Sequence, residues 1–139
     1  MPAALPSSIA LASLIDALRG VLVQVPEVWL ALLFGSQATG KARADSDVDI
    51  AFLGHIKDRL DLSARLSQVC AREVDLVSLH DPSFPLLEEV IRDGVLIYEA
   101  DANVYSTWRS RALSSLDLDQ AWYYRMRDAW LTSVAERGL

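Results

Sequence analysis

The chain predicts a single α/β or α+β domain, and three observations carry that expectation. Short apolar runs of strand length alternate with segments of helical period. The length of 139 residues, 52% of them hydrophobic, suffices for one compact core and is too small for two ordinary ones. No repeat, low-complexity tract or linker interrupts the pattern, so residues 1–139 read as one unit, with a core over about 28–100 and a helical C-terminal segment over 103–139.

Each element has its own signal. Ser7 or Ser8 can cap a first helix whose apolar positions include Leu11, Leu14, Leu18, Leu22 and Val25, and Pro26 ends it. "VWLALLF" (28–34) is a buried strand closed by Gly35. "DVDIAFL" (47–53) alternates, with Val48, Ile50 and Phe52 on one face and Asp47, Asp49 and Ala51 on the other. "LDLSARLSQVCA" (60–71) places Leu62, Leu66 and Val69 at helical spacing, and Cys70 falls on that stripe as an inert core thiol. "EVDLVSL" (73–79) is a third strand, "SFPLLEEVIRDG" (83–94) a short helix stopped by Gly94, and "VLIYEA" (95–100) a fourth strand. From Asn103 the chain reads as helix, with a break expected near Ser114–Asp117.

Composition excludes several classes of function. The net charge of −6 and the lack of a polybasic block argue against sequence-independent nucleic-acid binding. One cysteine supports neither a disulfide framework nor a thiolate zinc site. The N-terminus lacks a basic leader, and Asp16 and Arg19 interrupt its apolar run, so neither a signal peptide nor a membrane span is expected. The expectation is a cytoplasmic protein.

The chemistry concentrates in "LLFGSQATGKARADSDVDIAFL" (32–53). It nearly spells a P-loop, but Ala42 stands where the magnesium-binding hydroxyl is required, and no helix fits between Lys41 and the next strand. It nearly spells a calcium loop through Asp45, Asp47 and Asp49. There Ile50 stands in place of the turn glycine and Ile56 in place of the bidentate glutamate.

What remains is Gly35-Ser36, ten residues, and Asp47-Val48-Asp49. Glycine lets the backbone turn tightly and approach a ligand, and Ser36 opens a short helix with N–H groups and a hydroxyl available to an anion. Asp47 and Asp49 project from one strand face, where they repel unless a divalent cation lies between them. Magnesium suits such a pair together with substrate phosphates. Asp75, at the centre of the third strand, offers a third carboxylate. It is costly there unless a metal or partner satisfies it, and on a matching face three carboxylates can hold two metals.

These residues resemble the signature of the polymerase-beta-type nucleotidyltransferase superfamily: Gly-Ser, a spacer, then Asp-x-Asp. The size is similar to the minimal branch, the MNT-type antitoxins paired with HEPN-domain toxins. The resemblance covers roughly residues 28–80 and implies a small mixed sheet flanked by helices. It implies that Gly35 and Ser36 bind the triphosphate, that Asp47 and Asp49 hold Mg2+, and that Asp75 completes the metal site and helps deprotonate the acceptor. It further implies AMP transfer from ATP to a tyrosine of a cognate HEPN toxin, which silences an RNase, with no direct nucleic-acid or membrane partner. Two alternatives stand beside it: a non-catalytic toxin-binding antitoxin, and a small-molecule (antibiotic) nucleotidyltransferase.

Many relatives carry arginine directly after Gly-Ser and again two residues later. Here those positions are Gln37 and Thr39, which weakens the expected phosphate contacts. Lys41 and Arg43 either supply the missing charge as nucleotide-binding residues or are solvated loop cations. His55 and His80 read as loop residues. The C-terminal aromatics, with Trp122, Met126 and Trp130 recurring every four residues, form a stripe that is either core or a partner surface.

Overall fold

The computed structural model describes residues 7–40 and 46–136. The elements in order are α1 (Ser7–Leu22), β1 (Val28–Phe34), α2 (Ser36–Thr39), β2 (Val48–Gly54), α3 (Arg59–Cys70), β3 (Val74–Ser78), α4 (Phe84–Asp93), β4 (Val95–Glu99) and α5 (Val104–Glu136). The four strands make one mixed sheet in the order β3-β2-β1-β4. β1 is antiparallel to β2 and β4, whereas β2 and β3 run parallel, joined by the α3 crossover.

Period-two alternation sorts the strand residues onto two covered faces. Val28, Ala31, Leu33, Val48, Ile50, Val74 and Ile97 pack beneath α1 and α3, against Leu14, Leu18, Leu22, Leu62 and Leu66. Leu32, Phe34, Ala51 and Leu79 meet Val90 of α4, with Tyr105 and Trp108 of α5 packed alongside. Burying both faces explains why β1 is nearly continuous apolar sequence rather than alternating. Its exception is Trp29, which sits where the β1–β2 register slips and is 40% exposed.

Local chemistry sets the helix ends. The Asp58 carboxylate accepts the Asp61 N–H at the start of α3, and the Ser83 hydroxyl accepts the Leu86 N–H at the start of α4. The Arg19 Nε–H donates to the Ile97 carbonyl at 2.8 Å and ties α1 to β4.

Three expectations are corrected. The C-terminal segment has no break at Ser114–Asp117: α5 is one helix of 33 residues. It contains no glycine or proline, and Ser or Asp inside a helix costs only about 0.5 kcal/mol each, too little to stop it. Asp75 is not a costly buried carboxylate, because β3 is an edge strand and Asp75 is exposed. On α3, Leu62 and Leu66 are buried, but Val69 is 45% exposed and Cys70 only half-buried against the core. Among the described residues no helix is long and apolar enough to cross a membrane.

Candidate active site

The chain leaves β1 through a backbone shape that only glycine adopts readily. Gly35 has φ 77° and ψ −154° and forms the N-cap of α2. Phe34 lies opposite Asp49 across the β1–β2 ladder, so the turn at Gly35 folds directly over that aspartate. A Cβ at position 35 would stand 2.5 Å from Asp49 Oδ2. The missing side chain is therefore what lets the turn and the carboxylate share one place. α2 then runs for four residues from Ser36 and ends at Gly40 in the left-handed conformation, φ 74°. No side chain caps its N-terminus, and first-turn N–H groups have no partner within a helix.

The parallel pairing of β2 and β3 sets Asp49 beside Asp75. Both project toward the α4 side of the sheet, as Ala51 and Val77 do one pleat further on. Asp47 precedes β2 and is exposed. Asp49 is half-buried, and burial raises its pKa above the ordinary aspartate range. The charges of Asp75, Asp47 and Glu89 push it further in the same direction. Four carboxylates thus crowd one end of the sheet. Glu89 was missed in the sequence because it is on α4, and only packing of that helix over the sheet brings it near.

Whether these groups suit a divalent cation can be judged on their chemistry. The donors are hard oxygens, and their mutual repulsion disfavours the fully ionised set. Among the described residues no three His, Cys, Asp or Glu side chains already form a metal cage. That is compatible with magnesium, which is held by one or two carboxylates together with substrate phosphates and water rather than by an all-protein cage. The site fits the ion.

Gln37 has a role that the sequence did not suggest. It is the one buried polar side chain among the described residues, 8% exposed. Its Nε2 donates to the Ser46 carbonyl at 3.1 Å, and its Oε1 accepts from Arg72 Nη1 at 3.2 Å. Gln37 thus fastens α2 to the lead-in of β2 and to Arg72 in the turn between α3 and β3. Thr39 is exposed, and its hydroxyl donates back to the carbonyls of Gly35 and Ser36. Lys41 and Arg43 lie outside the described residues.

Comparison with known proteins agrees with this fold. A family model, polymerase beta nucleotidyltransferase, matches residues 16–103. The protein adenylyltransferase MntA of Aphanizomenon flos-aquae is 27% identical over 110 residues, covering 68% of this chain and 73% of the relative. The protein of the same name from Shewanella oneidensis is 36% identical over 76 residues, covering 50% and 53%. A crystal structure of a toxin-antitoxin with AMP-PNP contains a chain that superposes with TM-score 0.70 at 24% identity, covering 84% of this chain and 98% of that one. A tri-AMPylated Shewanella oneidensis HEPN toxin in complex with MNT antitoxin gives TM-score 0.62 at 23% identity, covering 91% and 99%. These structures share the fold.

Proposed function

The chain belongs to the polymerase beta nucleotidyltransferase family, and we propose that within it this protein transfers AMP from ATP to a tyrosine hydroxyl of a HEPN-type toxin, neutralising its RNase. The observation that carries the reading is the meeting of Gly35 with Asp49, beside Asp75 and Asp47, at one sheet end. The relatives named protein adenylyltransferase and the toxin-antitoxin structures of the same fold support a protein as the acceptor.

In this reading Ser36 and the N–H groups after Gly35 hold the triphosphate. Asp47 and Asp49 would hold Mg2+, with Asp75 completing the set. Bound there, the ion would polarise the α-phosphate and balance charge on the departing pyrophosphate. Asp75 faces solvent, where an incoming hydroxyl can reach it, and it accepts that hydroxyl's proton. The acceptor oxygen forms a bond to the α-phosphorus as the bond to the pyrophosphate oxygen breaks. Gln37 acts by position, keeping α2 against the start of β2.

The acceptor arrives on another protein. Trp122, Met126, Trp130 and Leu131 of α5 are 61%, 50%, 64% and 49% exposed, whereas Tyr105 and Trp108 pack on the core and Tyr123 stacks on Phe84. Four large apolar side chains along one helix, left uncovered, suit a helical partner. The second reading, a toxin-binding antitoxin without transfer, is favoured by one observation: α2 presents no cationic side chain, since Gln37 is turned inward and Thr39 bonds its own turn. Labelled ATP separates the two. Incubation with magnesium and the partner should move label from the α-phosphate, and none from the γ-phosphate, onto the partner. A tight complex that never acquires label identifies the binding-only antitoxin.

A further inference from the structure

At the opposite end of the sheet lies a second polar constellation that the proposed transfer does not use. β2 ends at Gly54, five residues beyond Asp49, which places it about 16 Å away along the strand. A cavity of about 410 Å³ opens there, a volume in the range of small-molecule sites. Lys57, Arg59, His55, His80 and Ser78 contribute its polar lining, and among the described residues no carboxylate lines it. This is unexpected in a chain with 19 acidic and 13 basic residues.

The lining is organised. Both histidines of the chain stand here, their rings stacked 5.3 Å apart and 6° from parallel. The half-exposed Trp29 meets His55 edge-on at 5.1 Å and His80 at 6.1 Å, which fixes the imidazole pair against β1. The Arg59 guanidinium lies 4.9 Å over the Phe52 ring. Among the described residues neither Lys57 nor Arg59 forms an ion pair. The Ser78 hydroxyl accepts the His80 N–H at 3.0 Å, which leaves its own proton to donate. Two nearby carboxylates are turned to the backbone: Glu27 accepts the Lys57 N–H, and Asp58 caps α3. The α3 N-terminus is therefore already capped, and the attraction for an anion comes from the side chains.

We propose that this cavity binds a phosphate-bearing ligand of nucleotide size. Lys57, Arg59 and Ser78 supply donors to the phosphate, and the imidazole pair supplies a flat wall for a base. A fork of guanidinium donors and a point-charge ammonium suit phosphate oxygens, and aromatic rings accept any base by stacking. The phosphate can come from a free mononucleotide or from a short RNA strand, and the probes below distinguish them.

Because the chain's two histidines are both in this cavity, their imidazole Hε1 proton signals report on it alone. These signals should be followed by NMR on the full chain during separate titrations with AMP and with a short single-stranded oligoribonucleotide. Saturable movement of both signals is expected with at least one probe. Equal or tighter binding of AMP assigns a free nucleotide, and tighter binding of the oligomer assigns a strand. Lys57→Ala with Arg59→Ala should weaken that binding at least tenfold. Lys57→Ala alone, an exposed change with no packing cost, serves if the double variant does not fold. Asp49→Asn, at the other end of the sheet, should leave the midpoint unchanged. Still signals with both probes, or a midpoint that ignores the loss of Lys57, would overturn the proposal.

Discussion

Replacing Gly35 with alanine separates a stability cost from a catalytic one. Alanine at φ 77°, ψ −154° carries a backbone penalty of about 1–3 kcal/mol. Its Cβ would also lie 2.5 Å from Asp49 Oδ2, and ordinary contact needs about 0.9 Å more. The atom in the way is the tip of a side chain, so it moves at little energetic cost, but the carboxylate moves with it. A misplacement near 1 Å at a reacting centre costs about 100-fold in rate. Gly40→Ala is the control. Its φ of 74° with ψ 11° is the milder left-handed conformation, which costs another residue about 1–2 kcal/mol, and nothing lies within 4 Å of the added Cβ. Both variants should be less stable than wild type in denaturant titrations, Gly35→Ala by more than Gly40→Ala. AMP transfer should fall about 100-fold in Gly35→Ala and stay within a few-fold of wild type in Gly40→Ala. A double-mutant cycle sharpens the point: with Asp49 already replaced by alanine, Gly35→Ala should cost only the backbone penalty. Normal transfer by Gly35→Ala would refute the claim that the turn and the Asp49 carboxylate compete for one space.

The remaining predictions follow from the same contacts. Asp49→Asn should abolish transfer yet raise metal-free stability at neutral pH by about 1 kcal/mol after solvent screening, or about 3–5 °C in Tm. The sign follows from the raised pKa: Asp49 favours the fold most below the ordinary aspartate value near 3.9, and that contribution falls as pH rises to its higher folded value. The advantage of Asp49→Asn over wild type in melting should therefore grow across that interval and level off above it; no pH dependence would contradict the crowding of carboxylates. Gln37→Ala should cost about 1–3 kcal/mol and raise the KM for ATP, by removing an amide shared between Ser46 and Arg72. Unchanged melting would mean that the latch does not hold α2. Trp122→Ala with Trp130→Ala should leave Tm nearly unchanged, because both rings are exposed, and weaken binding of the toxin about 30-fold or more in calorimetry. Undiminished binding by the folded variant would place the partner surface elsewhere.

The sequence was most legible where a local pattern and a chemical need coincide. The apolar run 28–34 and the alternation after Asp47 mark two strands within a residue of their observed limits, and Gly-Ser with Asp-x-Asp marks the candidate site between them. The helix α4 was readable because Ser83 caps it and Gly94 follows its end. Less could be read where position depends on distant packing. Edge placement of β3 decides that Asp75 is exposed, and strand order is not written in strand 73–79 itself. Glu89 reaches the carboxylates only because α4 covers that sheet face. Position 37 reads as a lost arginine, whereas the Gln37 hydrogen bonds to Ser46 and Arg72 turn its side chain inward. His55 and His80 lie 25 positions apart at the ends of neighbouring parallel strands, a pairing that single-chain spacing does not reveal.

The central claim is that the carboxylates gathered beneath Gly35 carry out AMP transfer to a bound protein. Intact-mass spectrometry of the toxin, after incubation with this protein, ATP and magnesium, tests it most directly. Wild type should add whole adenylyl groups to the toxin, and Asp47→Asn with Asp49→Asn should add none while still binding it. Equal modification by the double variant, or an unmodified toxin in a stable complex with wild type, would contradict the account.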